Sequence, residues 1–356
     1  MKKYKSKIQY WIFPILFFFM VWLTMKAPDV GTDYAAQIYR LELTQGQPIS
    51  YFQDKTEPML FDFTYSVLYS FLGISPRLFI SALSLLYFAI IIMVCIKEVN
   101  ETKYLYINSR NLGNIILYAC LCYSPLFICI ARFHFSTILV LSGLLLYHYS
   151  TKKIYKILSF LLMGLAYTAH EGITIIYGVI ILGWFLEKFW LSNLKSIASR
   201  NNIVILVSIL LLVAGPLIFP FITSLLAGYG FLNEKYAEGY AQQSAGDGAY
   251  LLVLVLSLFG SILSLCITSL FDRKNNWINA ICISGLFMMC FLFNQKFFYV
   301  QRIFMFMPAF MGLSSIQVIG TSSRGLQKNL YVLILLSVPI IYICQLVVQR
   351  DLFFGN

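Results

Sequence analysis

Residues 58–73 read PMLFDFTYSVLYSFLG, an apolar stretch of 16 residues interrupted by Asp62. It is shorter than the roughly 20 residues a helix needs to cross hydrocarbon. Further apolar runs lie near 8–25, 78–96, 112–130, 134–149, 154–170, 172–186, 202–222, 250–270, 277–295, 303–319 and 330–348. The chain of 356 residues is 60% hydrophobic and 12% charged, against about 25% charged for a soluble domain. These numbers exclude a water-soluble core. They point to an all-α polytopic membrane protein forming one transmembrane domain over 1–356, because only helices satisfy their own backbone groups one segment at a time in lipid.

Whether 58–73 spans decides the orientation of every later loop. If it does not, and the N-terminus is cytoplasmic, 17 of the 26 basic residues fall on cytoplasmic loops; if it does, ten do. Basic loops stay inside. The expectation is therefore eleven spanning helices, with 58–73 a re-entrant or interfacial helix, a form tolerated where protein or a cavity surrounds it. Eleven of the fifteen acids then lie on the outer side.

The net charge of +11 is explained by basic cytoplasmic loops and needs no nucleic acid. The start, MKKYKSK, followed by an apolar run to Met25, resembles a signal peptide but lacks a small-residue cleavage site, so it reads as an uncleaved anchor. All eight cysteines fall inside apolar runs, as small buried hydrophobes do. No internal repeat and no nucleotide-binding Gly-rich segment is visible.

The outer residues are where chemistry is expected. In the first outer loop (26–57), Asp33, Gln37 and Arg40 share one helical stripe, with Tyr34, Ile38 and Leu41 on another. This spacing predicts an amphipathic helix on the membrane surface. Asp33 reads either as a helix cap after Gly31-Thr32 or as a carboxylate over a substrate entrance, with Tyr34 and Tyr39 as stacking faces. Glu57, before Pro58 where the chain turns into the membrane, suits a general acid or base.

Three more outer segments follow. The tight hairpin Ala131-Arg132-Phe133-His134 offers a guanidinium at the level of lipid phosphates, suited to bidentate binding of a diphosphate; His134 reads as structural. Tyr167-Thr-Ala-His170-Glu171-Gly172 places two titratable neighbours at helix ends, and one of them could deprotonate a sugar hydroxyl. Thr174 breaks the His-Glu-x-x-His pattern, which rejects a zinc protease. The outer loop 223–249 carries glycines, amides, Tyr236 and Tyr240, suited to a sugar-binding lid. Lys296 and Arg302 then form a second basic cluster.

Gly31-x-Asp33-Tyr34, Glu57, Arg132, His170 and Arg302 ahead of Met307-Pro308 together resemble the EpsG family of exopolysaccharide polymerases, relatives of the Wzy-type O-antigen polymerases. The resemblance is spread over most of the chain. It implies a broadly GT-C-like membrane glycosyltransferase on the outer face of a bacterial cytoplasmic membrane. Its substrates would be a glycan donor and an acceptor, both linked to undecaprenyl diphosphate, with a chain-length regulator protein as a further partner. The diphosphate is the leaving group, so no nucleotide sugar and no cofactor is called for. Nor is a metal implied, because the outer acids lack ligand spacing. Arg132 and Arg302, helped by Arg77 and Lys296, would hold the diphosphate. One of His170, Glu57, Asp33 and Glu171 would activate the acceptor hydroxyl. The alternatives left open are a lipid-linked oligosaccharide flippase, an O-antigen ligase and a polyprenyl-phosphate-sugar glycosyltransferase. Flippases are expected to bury charge in mid-helix, whereas these candidates sit at helix ends.

Overall fold

The computed structural model describes Phe18, Trp22, Met25, Lys26, Lys55, Arg302, Ile303 and Phe310, and residues 33–53, 59–101, 130–190, 197–228, 276–292 and 305–307. Among them every regular element is helical. In chain order these are α1 (Asp33–Leu43), α2 (Ile49–Gln53), α3 (Leu60–Leu72), α4 (Pro76–Glu101), α5 (Ala131–Tyr149) and α6 (Lys153–Ala169). A 3-10 turn (Glu171–Ile173) then leads into α7 (Thr174–Phe185) and a π turn (Leu186–Trp190), followed by α8 (Ile197–Gly228) and α9 (Asn276–Leu292). Six of the expected apolar runs appear as α4 to α9. The runs 112–130, 250–270 and 330–348 lie outside the described residues almost entirely, and 8–25 and 303–319 are described at isolated positions.

Two segments, Pro76–Met93 and Glu171–Phe189, are long and apolar enough to cross a membrane. Leu161, Leu206, Leu210, Val213 and Leu217 are exposed on α6 and α8. Such long apolar faces suit lipid as solvent and would be a liability in water.

The 13 residues of α3 span about 20 Å at 1.5 Å per residue, short of the roughly 30 Å hydrocarbon core. Its surroundings tie it and the start of α4 to α1. Asp62, in its first turn, is bound by Arg40 of α1. Gly73 ends it in the left-handed conformation, φ 62°, returning its N–H to the Tyr69 carbonyl, a cap geometry that glycine adopts without Cβ strain. Three residues later α4 begins, and the Arg77 guanidinium lies 5.5 Å over the ring of Tyr34, again on α1. The start of α3 and the start of α4 therefore both meet the same short helix. Within α3, Tyr65 accepts from Gln45 Nε2 (2.9 Å) and donates to the Ile74 carbonyl (3.2 Å). Phe61 packs on Phe79 and Phe135, which fixes α3 against α4 and α5.

The expected stripe of α1 exists. Tyr34, Ile38 and Leu41 are buried in the protein core, so the helix is docked on its neighbours as well as amphipathic. Two boundaries differ from the sequence reading. Arg132, Phe133 and His134 form the first turn of α5, with the His134 N–H bonded to the Ile130 carbonyl at 3.0 Å, because nothing in that segment breaks a helix. In addition, α8 runs on to Gly228 over 32 residues.

Close helix contacts rest on small residues and hydrogen bonds, as lipid-solvated bundles require. Gly215 of α8 lies against the Phe291 backbone of α9. Ser284 of α9 donates to the Val179 carbonyl of α7, and Tyr177 of α7 donates to the Met163 carbonyl of α6. Cys282 and Cys290 are buried and not disulfide-bonded, as expected of small hydrophobes. His134 is buried edge-on against Tyr87, a packing role.

At one end of the bundle lie the start of α5, the end of α6 and Arg302. At the other, His148 of α5 stacks on Trp277 of α9 at 3.9 Å.

Candidate functional site

The site forms where α6 hands over to α7. After Ala169 the backbone extends at His170, and the ring turns back to accept from the Gly172 N–H at Nδ1, 2.9 Å away. This side-chain cap satisfies a donor at the start of the 3-10 turn and leaves Nε2 directed away from it. Arg302 Nη2 stands 3.4 Å from Nε2. Arg302 is only 4% exposed, and its guanidinium lies 5.0 Å over the face of Phe133, which meets the His170 ring edge-on at 5.7 Å. A cation over an aromatic face is held electrostatically as well as by packing. Gly172 completes the arrangement, because a Cβ there would overlap Arg302 Nη1.

Arg132 lies in the first turn of α5, beside Phe133. The His170 pKa is held well below its ordinary value, chiefly by burial, then by the guanidinium groups of Arg302 and Arg132, with Arg40 also contributing. Three cations therefore act on one imidazole, which stays neutral. The Asp62 carboxylate, fully buried, accepts from Arg40 Nε at 2.8 Å and Nη2 at 3.1 Å. Among the described residues, Arg40, Arg132 and Arg302 against Asp62 and the neighbouring Glu171 still leave a net positive charge at this end of the bundle, suited to an anionic group.

Of the residues singled out in the sequence, the structure brings together His170, Arg302 and Arg132. Glu171 adjoins them, half-buried at the start of the 3-10 turn, with its carbonyl accepting from Thr174 Oγ1 at 3.0 Å. Arg77 lies apart, over Tyr34, roughly 9 Å along α1 from Arg40 at 1.5 Å per residue. Tyr34 is fully buried beneath that guanidinium, whereas Tyr39 on the same helix is 63% exposed. Asp33 is the first residue of α1. Glu57, Lys296, Tyr236 and Tyr240 lie outside the described residues. Among the described residues no group of three or more His, Cys, Asp or Glu side chains could hold a metal ion.

Sequence reading passed over the Arg40–Asp62 pair, Phe133 and Gly172. A signal for the pair was present: an acid inside an apolar stretch must find a partner, and Arg40 lies on the polar stripe of the preceding helix. Phe133 and Gly172 act by shape, for which the sequence holds no comparable signal.

The family model of the EpsG family matches residues 10–354, nearly the whole chain. No curated protein and no solved structure matches it.

Proposed function

Because the chain belongs to the EpsG family, a Wzy-like family of polysaccharide polymerases, we propose that it joins undecaprenyl-diphosphate-linked repeat units into long polysaccharide on the outer face of the bacterial cytoplasmic membrane. The observation that supports this most is Arg302 set against neutral His170 at one end of an apolar bundle, with Arg132 and, least, Arg40 acting on the same imidazole. A diphosphate that bridges a polyprenyl chain and a sugar carries about two negative charges in water. Its tail belongs in lipid and its head at a bundle end.

In this reading the polysaccharide donor enters with its diphosphate against Arg302 and Arg132, with Arg77 and Lys296 as the helper cations that the family resemblance implies. Planar guanidinium groups match phosphate oxygens in pairs. The acceptor hydroxyl attacks the donor's anomeric carbon. The new bond forms from that carbon to the acceptor oxygen, and the bond to the phosphate oxygen breaks with its electron pair leaving on the diphosphate. The hydroxyl proton goes to a carboxylate, for which Glu171, Glu57 and Asp33 are the candidates. Tyr39, and Tyr236 and Tyr240 of the 223–249 loop, offer flat faces for sugar rings. No nucleotide is consumed and no metal is called for, because the leaving group arrives already activated.

The test is deletion of the gene with polysaccharide profiling on gels, followed by complementation. Loss of the polymerase should leave single repeat units. Arg132→Ala and Arg302→Ala should fail to restore long chains while accumulating like wild type. Repeat units trapped on the cytoplasmic side would make the chain a flippase instead. Long chains retained on the carrier but missing from the lipid core would make it a ligase. Full-length chains from both arginine variants would remove those residues from the mechanism.

A further inference from the structure

We propose that His170 works as a neutral hydrogen-bond donor through Nε2–H to the leaving diphosphate, in concert with Arg302, and does not accept the acceptor's proton. The inference rests on the polymerase reading and assigns a role within that site.

The geometry carries it. A neutral imidazole has one ring nitrogen that accepts and one that donates. Each nitrogen of His170 faces a donor: the Gly172 N–H is 2.9 Å from Nδ1, and Arg302 Nη2 is 3.4 Å from Nε2. The amide contact is shorter, and the turn that follows fixes its direction. The lone pair therefore belongs at Nδ1 and the proton at Nε2. A ring in this tautomer has no acceptor to offer at the nitrogen turned toward Arg302. To act as a base it would have to give up the Gly172 cap and become a cation beside Arg302, with Arg132 and Arg40 also acting against that charge. Burial and those cations both oppose imidazolium.

What the pair Nε2–H and Nη2–H suits is an oxygen that accepts from both. An anionic oxygen seated about 2.9 Å from each would take two hydrogen bonds, one of them charge-assisted. The phosphate oxygen that gains the electron pair as the glycosidic bond breaks is such an acceptor. Its demand grows toward the transition state, which is where a fixed donor accelerates the reaction. No proton leaves His170, so the polyprenyl diphosphate departs as the anion and the acceptor's proton goes to a carboxylate. Phe133 keeps both donors in register, with Arg302 on its face and His170 against its edge.

The two amide replacements separate the roles. In His170→Asn the carboxamide reaches the Nδ1 position, keeping the cap on Gly172 and losing the distal donor. In His170→Gln the terminal amide places an N–H near the Nε2 position and has no basic lone pair. A donor predicts that H170Q retains polymer synthesis within about 10-fold of wild type while H170N falls by about 100-fold or more, the cost typical of removing one transition-state donor. Both should accumulate normally in the membrane. A base predicts that the two are equally inactive. The second measurement is binding of undecaprenyl diphosphate to the purified proteins. Weaker binding by H170N than by H170Q and wild type supports the donor. Equal binding by all three, with polymer lost in both variants, overturns it and makes His170 the base. The polymerase reading fails separately, in the wild type: a deletion strain with unchanged chain length would bring it down whatever the variants do.

Discussion

The carboxylate of Asp62 grips the Arg40 guanidinium with both oxygens, at 2.8 and 3.1 Å, across 22 residues of sequence. The pair ties α3 to α1 and explains how an acid can sit in the first turn of an apolar helix. It also fixes one of the three cations that act on His170. Asp62 is 0% and Arg40 27% exposed at the side chain, so the two partners are not equally dependent on each other.

That asymmetry predicts the outcome of breaking the pair. Arg40→Ala strands a fully buried carboxylate and should cost about 3–5 kcal/mol, whereas Asp62→Ala leaves a cation that can still reach water and should cost less. Replacing both together, as Arg40→Met with Asp62→Leu, should recover most of the stability, because apolar pairs often substitute well for buried ions. Thermal unfolding in detergent ranks the three. A double variant no more stable than R40A would show that the pair does more than neutralise itself.

Gly172→Ala is expected to fold and yet lose activity. The added Cβ would overlap the end of the Arg302 side chain and crowd His170 Cε1, 2.9 Å away. The end of an arginine can swing aside at little cost to stability, but not without leaving its place over Phe133. Polymer synthesis should fall by about 100-fold, as expected for removing an electrostatic contact made in the transition state. Protein level and melting temperature should remain near wild type. A large loss of stability would mean that Arg302 cannot yield.

The bundle was legible in the sequence because hydrophobic run length reports membrane helices directly, and the split of basic residues argued that 58–73 does not span. What run length cannot show is how that segment is held, by Arg40 on Asp62 and Arg77 over Tyr34, both contacts returning to α1. His170, Arg132 and Arg302 were legible as residue types out of place at apolar helix ends. Their arrangement was not. The cap that sets the His170 tautomer needs the turn at Gly172, and Phe133 is one of 31 phenylalanines until its neighbours are known. Tyr34 shows the limit from the other side: its stripe was readable, but its burial under Arg77 depends on where α4 begins.

Gly215→Ala supplies the contrast to Gly172→Ala. Here a Cβ would collide with the Phe291 carbonyl of α9, which is backbone and cannot rotate away. The α8–α9 contact must open, at a cost of about 1–3 kcal/mol by the usual penalty of overpacking. The expected result is a lowered melting temperature in detergent. Activity per folded molecule should hold, since Arg302, His170 and Phe133 are untouched. Unchanged stability would indicate that the two helices are free to separate.

The last prediction concerns pH and follows from the neutral state of His170. Burial, then Arg302 and Arg132, push its pKa well below the ordinary 6.5. In the unfolded chain the same imidazole takes up a proton near its ordinary value. On acidification below about pH 6.5 the unfolded state therefore binds the extra proton first, and stability falls by up to about 1.4 kcal/mol per pH unit. The loss continues until the pH reaches the lowered native value, and above about pH 7 the effect is absent. Unfolding in detergent followed from about pH 7.5 to 5.5 should thus be steeper in pH for wild type than for H170Q, by up to one proton. If the two slopes coincide, His170 titrates in the folded protein as it does in the unfolded chain, and its neutral role fails.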